Sequence, residues 1–159
     1  MRAFLSAPGD GQSIPNPLGG GIEVRASAGN TAGGLTAFES AVGPGEGPPL
    51  HVHVDDNEVL YFLDGAFRMK IAGAVSDAPS GSFAFIPKGV PHTWQNVGDG
   101  TARLLVLFIP GAPGMERFFE RFGEVAGDDA SVADAFANLA DEAGMKVVGP
   151  PLAQSDPIS

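Results

Sequence analysis

The sequence predicts an all-β fold, an antiparallel sandwich or barrel, followed by two C-terminal helices. From residue 21 to about residue 110, short runs of β-branched and aromatic residues are separated by glycine, proline or Asp-Asn turn signals at intervals of roughly ten residues. Helical periodicity is missing there and begins only after Pro110. With 159 residues, the chain suits one domain with a substantial core and is too short for two ordinary domains.

The predicted strands follow this punctuation in chain order. They lie near residues 22–27, 34–42, 50–54, 58–63, 66–72, 82–86, 91–97 and 102–109. The residue types between them accept the backbone conformations of tight turns. The expected turns are Asn30-Thr31, Pro44-Gly45, Asp55-Asp56-Asn57, Asp64-Gly65, Lys88-Gly89 and Gly98-Asp99-Gly100.

Each predicted helix has one apolar face. The residues at helical spacing are Met115, Phe118, Phe119 and Phe122 in the first helix, and Val132, Phe136, Leu139 and Ala143 in the second. The first helix is expected to begin in the stretch PGAPG and to end at Gly123 or Gly127. The second is expected to be capped by Asp128 or Asp129 and to end at Gly144. We interpret the phenylalanines as a face that packs on the sheet or on another subunit.

Composition excludes several classes of function. The net charge is −10 and the nine Lys and Arg residues form no cluster, so nucleic acid and anionic membranes are poor partners. Because the chain has no cysteine, any metal must be bound by nitrogen and oxygen. The N-terminal stretch lacks the apolar core of a secretion signal, and the longest apolar run, 104–109, is too short to cross a bilayer. We therefore expect a soluble, cytoplasmic protein.

The three histidines suggest a metal site. Side chains alternate along a strand, so His51 and His53 project from the same face. After a turn, Glu58 begins the next strand, which either pairs with the first strand or crosses to a facing sheet. His92 stands at the start of another apolar strand. Three imidazoles and one carboxylate are a suitable ligand set for a divalent metal ion.

The residues around these histidines resemble the two sequence motifs of the cupin family. The first motif is a glycine, five residues, HxH, three or four residues, glutamate, six residues and glycine. It is matched by Gly45, His51, His53, Glu58 and Gly65. The second motif is a glycine, five residues, PxG, two residues, histidine, three residues and asparagine. It is matched by Gly81, Pro87, Gly89, His92 and Asn96.

This resemblance implies an antiparallel double-stranded β-helix, or jelly-roll, barrel that binds one metal ion through His51, His53, Glu58 and His92. The barrel would occupy residues 1–112, with the motifs at 45–65 and 81–96. Residues 113–159 would form a helical extension packed on the barrel or on a dimer partner. The ligand set accepts Fe, Mn, Ni, Co, Cu or Zn, so the identity of the ion stays open. We expect the motif glycines to tolerate positive φ, and Asn96 to stabilise a turn.

Strand alternation gives candidates for the wall of a substrate pocket. Leu60 and Phe62 share a face with Glu58, Trp94 shares one with His92, and further aromatic residues lie on neighbouring strands. The candidates are Phe38, Leu60, Phe62, Phe85 or its neighbour Phe83, Trp94 and Phe108. Such a pocket suits a planar, weakly polar molecule better than a sugar phosphate or a dicarboxylic acid.

Three further stretches, TAGGLTAFES, FIPGAPGMERFFERFGE and GMKVVGPPL, are similar to bacterial cupins of the quercetinase (quercetin 2,3-dioxygenase) type. This resemblance implies an oxidoreductase that uses dioxygen on an enol-containing aromatic, flavonol-like or polyketide-like molecule. The metal would act as Lewis acid and Glu58 as the catalytic general base. A non-redox isomerase or cyclase and a non-catalytic binding protein stay open as alternatives. Exposed sheet edges and the phenylalanine-rich helices favour a homodimer.

Overall fold

The computed structural model describes residues 1–125 and 129–159, without the side chains of residues 129–131, and it contains two antiparallel sheets that face each other. The strands are β1 (Gln12–Pro15), β2 (Gly21–Ala26), β3 (Thr36–Val42), β4 (Pro49–His53), β5 (Asn57–Asp64), β6 (Ala66–Ile71), β7 (Ala74–Pro79), β8 (Phe83–Ile86), β9 (His92–Asn96), β10 (Ala102–Ile109) and β11 (Met145–Pro151). The helices are α1 (Pro113–Gly123), α2 (Asp129–Ala140) and the single turn α3 (Leu152–Ser155), and a 3₁₀ turn covers Asp141–Ala143.

The strand order is β1-β2-β3-β10-β5-β8 in one sheet and β11-β4-β9-β6-β7 in the other. The predicted all-β class with C-terminal helices is confirmed, and each of the eight predicted strands has a counterpart within a few residues. Strands β1, β7 and β11 were not predicted, and all three lie at sheet edges. Because an edge strand such as β7 buries only one of its side chains, Ala78, it lacks the alternating apolar pattern of a strand.

The C-terminal segment is not only helical, because its strand β11 pairs with β4 along the edge of the five-stranded sheet. In this pairing Met145 lies opposite His53, and Val147 lies opposite His51. Strand β11, which follows the predicted boundary between residues 112 and 113, thus pairs with the strand that carries His51 and His53. The division of the chain into a barrel and a helical extension stays a prediction.

The ends of the helices follow two of the expected signals. Helix α1 ends at Gly123, and Gly144, at φ 75°, follows the 3₁₀ turn that continues α2. Helix α2 begins at Asp129. The other two expected end signals, Gly127 and Asp128, lie outside the described residues.

Helices α1 and α2 pack on the barrel of their own chain. Phe118, Phe122 and Phe136 are buried in the same apolar cluster as the barrel interior. Helix α1 is also tied to β3, because the hydroxyl of the buried Thr36 donates a hydrogen bond of 2.7 Å to Glu116 and accepts one of 3.0 Å from the amide of Ala112. Helix α1 is thus fixed over one end of the barrel.

The motif residues without ligand atoms stabilise turns, as expected. The four glycines at 45, 65, 81 and 89 all have positive φ values, between 78° and 96°. At Gly65 a Cβ atom would also lie only 2.5 Å from the Cβ of Ala102. The Asn96 amide donates to the carbonyl groups of Val42, Gly43 and Gly100 within 3.0 Å. These bonds join the end of β9 to the end of β3 in the facing sheet and to the turn before β10, so Asn96 stabilises a turn, as expected.

Candidate metal centre

Three strands bring four potential ligands together inside the barrel. His51 and His53 project inward from β4, and His92 lies directly opposite His51 on β9 of the same sheet. Strand β5 belongs to the facing sheet, so the chain crosses between the sheets before Glu58. Glu58 Oε2 lies 3.2 Å from His53 Nε2 and is in direct contact with His92 Nε2. One donor atom from each of the four residues lies within 4.8 Å of the others.

Backbone and side-chain acceptors orient the imidazole rings. His51 Nδ1 lies 2.8 Å from the carbonyl oxygen of Pro49, and His92 Nδ1 lies 3.0 Å from that of Val90. With Nδ1 donating to these carbonyls, Nε2 is the nitrogen available to the cluster. His53 differs, because its Nδ1 lies 3.3 Å from a carboxylate oxygen of the buried Asp56.

The electrostatic environment of the cluster shifts the pKa values of its residues in different directions. Burial, together with the neighbouring His92 and His53, lowers the pKa of His51 to about 3. Burial also opposes a charge on His53, but the carboxylates of Glu58 and Asp56 outweigh it and raise the pKa of His53 to about 9. Burial likewise opposes the charge of Glu58, but His92 and His53 together hold its pKa well below the usual range. Near neutral pH, His53 is therefore a cation beside the Glu58 carboxylate, and His51 is neutral.

The chemistry of these donors fits a metal ion. All four side chains are buried, none more than 5% exposed. Nε2 of His53 points into the cluster, and no hydrogen bond of normal geometry satisfies it. A divalent cation would satisfy this atom and take the place of the His53 proton. The cluster is thus consistent with a metal site whose nitrogen and oxygen donors leave the identity of the ion open.

The cluster lies beside an apolar cavity between the barrel and the helices. Apart from the cluster residues, its lining is almost entirely aromatic and aliphatic and comes from both sheets, α1, α2 and the N-terminal segment. The lining residues are Asn16, Leu18, Ser40, Pro48, His51, His53, Glu58, Trp94, Val106, Phe108, Met115, Phe118, Phe119, Phe122, Phe136 and Met145. The free volume is about 50 Å³, whereas small-molecule sites usually have about 300–1,000 Å³. This conformation is therefore closed to a molecule of several rings.

Five of the six predicted pocket residues lie inside the barrel, in three different positions. Trp94 and Phe108 line the cavity. Phe38 is buried behind the wall, with its ring centroid 6.1 Å from that of Phe108. Leu60 and Phe62 are buried in the barrel core and do not line this cavity.

The assignment of Phe85 to the pocket was wrong. It is 54% exposed on the outer face of the six-stranded sheet, and the alternative, Phe83, is 66% exposed. The reason is the strand register, because Phe85 lies opposite Val59, whereas the inward-facing Glu58 lies opposite Ile86. In a four-residue strand with apolar residues at every position, the sequence alone does not indicate which side chains face the barrel interior.

Neither the helix residues of the wall nor the place of Asp56 beside the cluster was predicted from the sequence. Phe118, Phe119 and Phe122 of α1 and Phe136 of α2 line the cavity, and the Phe136 ring centroid is 5.9 Å from that of His51. Their helical spacing indicated a packed face but not which end of the barrel it covers. The place of Asp56, in the turn between HxH and Glu58, was the available signal for a residue beside the cluster.

Residues 38–108 match the family described as Cupin domain. Among curated proteins, the protein SchB of Streptomyces halstedii is 36% identical over 102 residues, which make up 62% of this chain and 73% of SchB. The tetracenomycin polyketide synthase protein TcmJ of Streptomyces glaucescens is 30% identical over 87 residues, 55% of this chain and 57% of TcmJ. Quercetin 2,3-dioxygenase of Bacillus subtilis is 40% identical over 53 residues, 33% of this chain but only 16% of that enzyme.

Solved structures show the same fold at low sequence identity. KdgF from Halomonas sp. superimposes with a TM-score of 0.64 at 17% identity, covering 72% of this chain and 99% of KdgF. The polyketide cyclase RemF from Streptomyces resistomycificus superimposes with a TM-score of 0.55 at 22% identity, covering 71% of this chain and 82% of RemF. In the part of the chain that the structure describes, no helix has the length and apolar character to span a membrane.

Proposed function

Because this chain belongs to the cupin family, we propose that it is a mononuclear metal-dependent enzyme acting on an enol-containing aromatic or polyketide-like small molecule, with dioxygenation as the first candidate reaction. The observation that carries this proposal is the cluster itself. Four buried nitrogen and oxygen donors from two facing sheets meet beside an apolar, aromatic cavity.

A bound divalent transition-metal ion would supply a Lewis acid that polarises the enol oxygen and, if it is redox-active, access to dioxygen chemistry. His51, His53, Glu58 and His92 would hold the ion. The aromatic wall formed by residues such as Trp94 would bind the planar part of the substrate and exclude water.

Glu58 is the residue placed to accept a proton. Its contacts with His53 and His92 both use Oε2, so we assign proton acceptance to Oε1. Its pKa lies well below the usual range, which keeps the carboxylate ionised but makes it a weak base. Such a base suits an acidic enol or phenol better than a C–H bond, and this favours the proposed substrate class.

Non-redox cyclisation or isomerisation is the second candidate. It is favoured by the relatives, because the similarity covers 57% of TcmJ but only 16% of the quercetin 2,3-dioxygenase, and because RemF is described as a polyketide cyclase. The same cluster would polarise an enol oxygen, and Glu58 would accept a proton without consumption of oxygen.

The test begins with elemental analysis of protein purified without added metal, followed by oxygen-electrode measurements with a flavonol substrate. We expect about one transition-metal ion per chain, oxygen uptake by the wild type, and loss of the ion in His53→Ala. Glu58→Gln should retain part of the metal but lose turnover.

Metal content without oxygen uptake, but with metal-dependent conversion of a polyketide-like substrate, would contradict dioxygenation and support the second candidate. A His53→Ala variant that binds metal as the wild type does would contradict the whole proposal. A stable metal-loaded protein that binds but converts no such substrate would indicate a non-catalytic binding protein.

A further inference from the structure

We propose that two copies of this chain associate through the outer face of the six-stranded sheet, on the side of β5, β8 and β10. We call this surface the apolar sheet face. It is formed by Val59, Tyr61, Phe83, Phe85, Leu105, Leu107 and Ile109. None of these residues lines the metal cluster or its cavity, so the inference goes beyond the proposed function.

The exposure of large apolar side chains on this face is unusual for a surface in water. Phe83 is 66% exposed, Phe85 54%, Ile109 39% and Tyr61 38%. These four side chains alone expose roughly 400 Å² of mostly apolar surface. The largest apolar patch on a typical monomeric protein has about this area and is often a functional contact surface.

The strand register places these residues in continuous rows, although Val59 itself is only 8% exposed. Phe85 lies opposite Val59, and Val59 lies opposite Leu107, so one row crosses three strands without a polar side chain. The next row runs from Phe83 through Tyr61 to Leu105. Two adjacent apolar rows form a broad face, which suits packing against a second sheet.

The charges around this face favour a second copy as the occupant. Two acidic residues border it, Glu39 opposite Leu105 and Asp64 opposite Arg103. Two basic residues also border it, Arg103, which is paired with Glu39 at 2.8 Å, and Lys88, whose amide donates to the side chain of Asn57 opposite Ile109. The whole chain carries a net charge of −10, so two copies repel each other least where the border charges balance. An anionic membrane would need a basic border, which this face lacks.

The size of the face also fits a dimer. A stable interface buries about 800 Å² on each partner. The exposed apolar side chains would supply about half of that area as a dry centre, and the bordering residues would supply a polar rim. Because a two-fold axis places the same patch against itself, an apolar centre with a charge-balanced rim is complementary to its own copy.

The structure corrects the surfaces that the sequence favoured for a dimer. Phe118, Phe122 and Phe136 of the helices are buried in their own chain, so they are not available to a partner. The edge strands are poor pairing surfaces, because β1 ends at Pro15, β7 ends at Pro79, β8 precedes Pro87 and β11 contains prolines. Association through a sheet face avoids both obstacles.

The test compares the oligomeric state of the full-length wild type with that of Phe83→Ser/Phe85→Ser by sedimentation velocity over a range of protein concentrations. The matched control is Val148→Ser/Ile158→Ser, which removes two apolar residues of similar exposure, 52% and 62%, outside the face. We expect dimers for the wild type and the control. The dissociation constant of the Phe83/Phe85 variant should rise by about 100-fold or more, with little change in thermal stability. A monomeric wild type, or a variant that still forms the dimer, would overturn the proposal.

Thiol labelling supplies a second measurement that does not depend on disrupting the dimer. The chain has no cysteine, so Tyr61→Cys and Val148→Cys each carry a single reactive group. We expect Tyr61→Cys to be labelled more slowly at high protein concentration than after dilution, and Val148→Cys to react equally in both. Concentration-independent labelling of Tyr61→Cys would contradict burial of this face.

Discussion

Glu58 and His53 lie on facing sheets, yet Oε2 of the carboxylate is 3.2 Å from Nε2 of the imidazole. Only the turn at Asp55 and Asp56 separates them along the chain, and at this turn the chain crosses between the two sheets. An ion held by both residues would therefore connect the two layers of the barrel.

Metal binding should stabilise the fold because it connects these layers. At a free metal concentration of 100 times the dissociation constant, we expect Tm to rise by about 5–10 °C. Differential scanning calorimetry before and after chelation measures this shift. Mg²⁺, which prefers oxygen ligands, should give no rise and serves as the control ion. An equal rise in His53→Ala would contradict binding at the cluster.

Asp56 should strengthen metal binding through His53. Its carboxylate lies 3.3 Å from Nδ1 of His53, and both groups are buried. Asp56→Asn removes the negative charge that orients the imidazole, so we expect a 10- to 100-fold weaker metal affinity, about the usual effect of losing such a partner. Competition with a chromophoric chelator measures it. The matched control is the exposed neighbour, Asp55→Asn, and equal effects of the two substitutions would argue against this role.

The metal-free protein should lose stability as the pH rises above neutral. The folded-state pKa of His53 is about 9, above its unfolded value of 6.5, so its contribution is fully present below pH 6.5 and is lost as the pH rises through 9. We expect the free energy of unfolding to fall by roughly 1–3 kcal/mol over this range. Urea unfolding in the presence of a chelator measures the change.

Two comparisons make that pH prediction specific. His53→Gln should show a smaller decrease between pH 6.5 and 9, because the group that titrates has been removed. His51 acts in the opposite range, because its pKa is lowered to about 3, and its contribution is lost as the pH falls below 6.5. A wild-type stability that is constant from pH 6.5 to 9 would contradict the charged state assigned to His53.

Substrate entry should depend on the helix side chains that close the cavity. Phe119 is half-buried, lines the cavity and packs with its ring centroid 4.7 Å from that of Phe38. We expect Phe119→Ala to enlarge the cavity and to speed the binding of a planar aromatic ligand about tenfold, as measured by stopped-flow fluorescence of the single tryptophan, Trp94. Phe4→Ala, which removes a 51% exposed phenylalanine that does not line the cavity, is the control. Equal or slower binding in Phe119→Ala would show that entry uses another route.

The sequence predicted the parts of the fold whose residues are constrained by burial on one face or by a tight turn. Strand β10, for example, alternates buried and more exposed positions along its whole length, which is the pattern that periodicity detects. The edge strands β1 and β7 could not be found in this way, because each buries only one side chain. Strand β11 does alternate, but Gly149, Pro150 and Pro151 interrupt its strand pattern in the sequence.

By itself, the sequence determined which residues could bind a metal, because two spaced motifs name His51, His53, Glu58 and His92 through residue type and interval. Only the tertiary structure decided that Glu58 comes from the facing sheet and that Asp56 lies beside His53. It also decided that Phe85 faces outward and that helix phenylalanines close the cavity. Spacing along the chain constrains local conformation, whereas strand register, sheet crossing and helix docking depend on contacts between residues far apart in sequence.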